Sequence, residues 1–196
     1  MDVLANLATA FGLSASAGLS AYVPLFIVAV VARYTDWIKL GEPYNVLTNG
    51  WVIAALGVLL TIEFFADKIP LVDHMNDVIG TVVRPAAGAV LFAATTGAVR
   101  DMNPAVAVIA GLIVAGSVHA TKAAVRPVVT ASTMGLGNPV VSTIEDITAA
   151  TVSLGAILLP LVFAVFVALA FVGVWWLVQR WRRRWSARSV YRTTIK

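Results

Sequence analysis

The chain has 196 residues, 60% of them hydrophobic and only 12% charged, with a net charge of +4 and no cysteine. Soluble domains carry about 25% charged residues, so this balance excludes an ordinary water-soluble domain and points to an integral membrane protein. The lack of cysteine excludes disulfide frameworks, thiolate metal sites and thiol nucleophiles.

In chain order, the first apolar run covers Val3 to Arg33. It lacks the basic start of a signal peptide and is expected to be retained. Gly12, Ser14, Ser16, Gly18, Ser20 and Pro24 crowd its middle. Small residues let helix backbones approach closely, so a tilted helix with a close-packing face is the simpler expectation, and a discontinuous helix or hairpin the alternative. Tyr34 to Gly50 holds the turn formers GEP and NG and reads as an interfacial loop. The second span is expected from Trp51 to about Ala66.

From Asp67 to Arg84, apolar residues recur near helical spacing among Asp73, His74, Asn76 and Asp77, the pattern of an amphipathic or re-entrant helix. A third span is expected to open at Pro85 and end by Val99, and a fourth to run from Pro104 to about Ala124. Pro127 to Asp146 is polar and Gly-rich, with Ser142 or Thr143 placed to cap a short helix. A last span, about Ile147 to Gln179, is expected to kink at Pro160.

The expected architecture is therefore all-α: a polytopic transmembrane bundle over residues 1–179, with about five spans plus short amphipathic or re-entrant helices, and a basic tail over 180–196. Seven of the fourteen basic residues lie in that tail, which places the C-terminus in the cytoplasm by the positive-inside rule. Trp175, Trp176, Trp181 and Trp185 fit an interfacial belt whose basic neighbours meet anionic lipid headgroups. Lipid accounts for both residue types, so nucleic acid is not an expected partner. Counting spans with an unbroken first helix puts the N-terminus outside; a hairpin there reverses it.

Charge within so apolar a chain is where function is expected, because a lone charge at bilayer centre costs about 2.5–3.5 kcal/mol or more. Glu63 and Asp67 are four residues apart and share a helix face, as do His119, Lys122 and Arg126. An acidic face and a basic face can meet, either as an ion-pair staple or as a polar pathway. The candidate pathway residues are Glu63, Asp67, Lys68, Asp73, Asp77, His119, Lys122, Arg126, Glu145 and Asp146. His74 beside Asp73 and Asp77 invites a metal reading, but no HExxH, i,i+4 His pair or CxxCH occurs, and neither metal nor cofactor is expected. No GxSxG elbow surrounds any serine, and GLGNP lacks the Lys of a P-loop, so catalysis is not expected. A faint internal repeat aligns Leu56–Lys68 with Ala110–Lys122, each followed by VRP.

GLSAYVPL, EFFADKIPLVD, VRPAAGA, HATKAAVRP and STIED together resemble the bacterial membrane family described as domain of unknown function 4126, over about Gly12 to Phe166. The resemblance implies a bacterial inner-membrane, multi-pass protein. It also implies an Asn where this chain has Ser20, and an acidic pair that Glu145 and Asp146 match. The leading expectation is a permease or channel-like protein for a small solute, ion or lipid headgroup. The alternatives are a scaffold subunit, as a homo-oligomer or in a larger membrane complex, and a carboxylate-metal membrane enzyme.

Overall fold

The computed structural model describes residues 3–96 and 102–162, together with 164, 165, 169, 172, 173, 175, 176, 179 and 180; for Pro70, Leu71, Asp73 and His74 it describes the backbone alone. Among these residues the fold is all-α. Helices α1 (Val3–Leu19), α2 (Tyr22–Tyr34), α3 (Gly50–Ala66), α4 (Pro70–Thr96), α5 (Pro104–Thr133) and α6 (Asn138–Leu158) are joined by a short 3-10 helix at Tyr44–Thr48 and by turns. Residues 1–160 form one compact unit and 161–196 a second. In the second unit the described residues are helical, and the Arg180 guanidinium stacks on Trp176. Residues 181–196, which hold most of the basic tail with Trp181 and Trp185, lie outside the described residues.

Among the described residues, three helical stretches are long and apolar enough to cross a membrane: Met75–Thr96, Pro104–Thr133 and Asn138–Leu158. The other three are shorter, with 17, 13 and 17 residues in α1, α2 and α3. At 1.5 Å per residue they reach about 20–26 Å, less than a ~30 Å hydrocarbon core. The first apolar run is thus not one tilted helix. It breaks at Ser20–Ala21, and α2 returns antiparallel to α1, so Asn6 and Thr9 near the start of α1 line one pocket with Asp36–Lys39, which follow α2. The start of α1 consequently lies at the same end of the first unit as the loop after α2, the end of α4 and the end of α6. This is the hairpin alternative.

Other boundaries also moved. Pro85 and Pro127 sit inside α4 and α5, not at a helix start or stop. The amphipathic segment expected after Asp67 is the first part of α4, continuous with the third span. Proline removes one backbone donor, but in a packed apolar bundle neighbouring groups re-satisfy the freed carbonyl. Gly137 rather than Ser142 or Thr143 precedes α6, and α6 ends before Pro160. The two aligned repeat segments differ in structure: Leu56–Lys68 runs off the end of α3, whereas Ala110–Lys122 lies within unbroken α5.

α1 is the central element, packing on α4, α5 and α6. Close approach explains its small residues. A Cβ on Gly18 would collide with the Ala115 carbonyl and Val118, and one on Gly111 with the backbone of Gly88 and Ala89. Ser14 donates to the Gly88 carbonyl at 2.8 Å, Ser16 to the Ala149 carbonyl at 2.8 Å and Thr9 to the Ala156 carbonyl at 2.8 Å. These bonds tie α1 to α4 and α6 where lipid offers no competing hydrogen bond.

Candidate functional site

The buried face of α5 is a single stripe: Ala107, Gly111, Ala115, His119, Lys122 and Arg126. Steps of three and four keep these residues on one side of the helix. The stripe begins as small residues that admit α1 and α4 and ends as three basic side chains. Asp77, Arg84 and Gly88 form the facing stripe on α4, and Ser142, Glu145 and Ala149 share a face of α6. Packing at the small-residue end therefore brings the charged ends together.

Their pairing is specific. Lys122 Nζ lies 2.9 Å from Glu145 Oε2. Asp77 bridges two arginines, 3.1 Å from Arg84 Nη1 and 3.2 Å from Arg126 Nη1. Arg126 Nη2 also lies 3.9 Å from Glu145. Arg84 Nη1 donates to His119 Nδ1 at 3.1 Å, while His119 Nε2 is 3.3 Å from the Thr81 hydroxyl. An arginine has only donors, so His119 Nδ1 must accept, which makes the ring the neutral tautomer with its proton on Nε2.

The broken hairpin enters this network. Lys122 Nζ donates to the Leu19 carbonyl at 3.0 Å, at the C-terminus of α1. On the other side of the break, Ser20 Oγ donates to Glu63 Oε2 at 2.7 Å, and the amides of Ala21 and Tyr22 point to the same carboxylate at 3.4 and 3.5 Å. An ammonium thus meets the negative end of one helix and a carboxylate the positive end of the next, the arrangement that helix dipoles favour. Glu63 also lies 3.7 Å from Arg84 Nη2.

Asp67 caps the end of α3 at 2% exposure, where Asn76 Nδ2 donates to Oδ1 and Ser142 Oγ to Oδ2 at 3.4 Å. Asp146 is half-buried within electrostatic reach of Glu63 and Asp67, and its Oδ2 is a buried oxygen with no hydrogen-bond partner. Lys68 turns back on α3: it donates to the Phe64 carbonyl at 3.0 Å and sits 3.2 Å above the Phe64 ring. The Asp73 side chain lies outside the described residues. No group of three or more His, Cys, Asp or Glu side chains suited to a metal ion occurs among the described residues.

A family model described as Domain of unknown function (DUF4126) matches residues 7–180. The chain belongs to that family. No curated protein and no solved structure matches it. The family match takes in α1 from residue 7 and all of α2 to α6, with the ion pairs described above.

Within this family member, Arg84 is the principal network residue absent from the candidate set drawn from sequence, and Ser20, Asn76 and Ser142 join it. A signal for Arg84 was present. It lies seven residues after Asp77, hence on the same helix face, and in a VRP tripeptide like that of Arg126. Both VRP arginines converge on Asp77. Ser20 carried no such signal, because its acceptor comes from α3, 43 residues along the chain.

Proposed function

We propose that this chain is a small multi-pass permease of the bacterial inner membrane, with its basic C-terminal tail in the cytoplasm, which moves a small polar solute or ion past the tip of the α1–α2 hairpin. The observation that carries this reading is the buried backbone break at Ser20–Ala21, held between Lys122 on one helix end and Glu63 on the other. Non-helical backbone at membrane depth is tolerated where it is enclosed by protein or lines a cavity, and transporter sites use such helix ends to hold ions. Among the described side chains, the carboxylates Glu63, Asp67, Asp77, Glu145 and Asp146 face four cations, Arg84, Lys122 and Arg126 within the bundle and Lys68 at the end of α3 within electrostatic reach of Asp146. That excess of one carboxylate supports coupling to a proton or small cation through Asp67 and Asp146, which among the described residues make no ion pair within 4 Å.

Reconstitution in proteoliposomes tests the reading. Proton and alkali-cation flux, followed with enclosed indicator dyes, is expected to exceed that of protein-free vesicles and to fall at least tenfold in Asp67→Asn. Equal flux in wild type and Asp67→Asn, with both proteins folded, would remove the pathway. One observation favours a second reading: the ion pairs Lys122–Glu145, Arg84–Asp77 and Arg126–Asp77 staple α4, α5 and α6. A scaffold subunit needs no more than that, and a stoichiometric partner surviving gentle detergent extraction, with no flux from the isolated chain, would decide for it.

A further inference from the structure

The Glu63 carboxylate sits in surroundings that fit a carboxylate better than Glu63 fills them. Tethered to α3, it is held closely by Ser20 alone; the α2 amides at 3.4 and 3.5 Å stand beyond the usual 2.9–3.0 Å of an N–H···O bond. Arg84 is 1% exposed, and its Nη1 is engaged by Asp77 and His119. Its Nε and Nη2 are buried without any hydrogen-bond acceptor, although Nη2 lies 3.7 Å from Glu63 Oε1. Nε and Nη2 make the edge of a guanidinium that takes a carboxylate through two parallel bonds.

We propose that the α2 N-terminus, the Ser20 hydroxyl and the Nε/Nη2 edge of Arg84 form a binding site for a small monocarboxylate anion, whose place Glu63 holds in this structure. A free carboxylate, unlike one tethered to α3, can approach both the helix end and the arginine fork at bonding distance. The planar Nε/Nη2 edge of Arg84 and the single Ser20 hydroxyl match the two oxygens of a planar carboxylate, so a tetrahedral dianion such as sulfate is expected to be rejected. The proposal names the substrate class for the permease reading and rests on that reading for transport, though not for binding.

The test uses the full chain in detergent micelles and carbon-13-labelled acetate, with the acetate line width followed against protein concentration. Saturable broadening is expected in wild type, unaffected by sulfate at matched ionic strength. Glu63→Gln removes the internal competitor and is expected to bind acetate at least tenfold more tightly. Ser20→Ala, a mild change that keeps both helices, is expected to bind at least tenfold more weakly, and Arg84→Lys likewise. Broadening that does not saturate, equal competition by sulfate, no gain in Glu63→Gln or no loss in Ser20→Ala would each overturn the site. Acetate binding without flux in vesicles overturns transport alone, whereas flux without saturable acetate binding overturns this site alone.

Discussion

Replacing Lys122 by Met removes a cation that contacts both Glu145 and the hairpin. Glu145, only 15% exposed, would keep Arg126 Nη2 at 3.9 Å as its cationic neighbour, while the Leu19 carbonyl would lose its donor. Breaking a buried pair from one side costs about 3–5 kcal/mol, whereas a single hydrogen bond in a membrane bundle averages about 0.6 kcal/mol. The stranded carboxylate therefore dominates, and a loss of about 4 kcal/mol is expected. Glu145→Gln alone strands Lys122 and is expected to cost about 3 kcal/mol. The double variant strands neither charge and should be about 2–3 kcal/mol less damaging than the sum of the two. Unfolding of each variant in mixed micelles, driven by a rising SDS fraction and followed by circular dichroism, measures all corners of this cycle. Singles that add to within about 0.5 kcal/mol would refute the pairing.

Two further outcomes probe different parts of the bundle. Asp146→Asn is expected to be neutral or stabilising by about 1 kcal/mol in the same unfolding assay, since it removes a carboxylate near Glu63 and Asp67 whose buried Oδ2 has no partner; a loss above that size would show a partner for this oxygen. Gly111→Val places its Cβ against the backbone of Gly88 and Ala89, which cannot swing aside, and should cost about 3 kcal/mol. Gly116→Ala, whose Cβ would meet only Pro85 Cγ at 3.9 Å, is the control and should change stability by no more than about 0.5 kcal/mol.

The sequence by itself determined the helical class, the apolar character of the spans and most of the charged positions. Lipid as solvent leaves a backbone few choices, so composition and run length alone report on it. The faces were legible too, since residues three or four apart must share one side of a helix whatever else surrounds them: Glu63 with Asp67, and His119 with Lys122 and Arg126. Helix breaks were only partly legible: the small residues before Pro24 left a hairpin open as the alternative, but Pro85 and Pro127 look like starts and stops yet lie inside α4 and α5, whereas α1 ends at Leu19 with no proline beside it. Whether a backbone group freed by a break is tolerated depends on donors and acceptors brought by other helices, here Lys122 for Leu19 and Glu63 for Ala21 and Tyr22. Pairing was decided in the same way. Asp77 takes both Arg84 and Arg126, and Lys68 turns away to Phe64, because the contact of Gly88 with Gly111 and Ala115 sets the register of α4 against α5, and charge follows register.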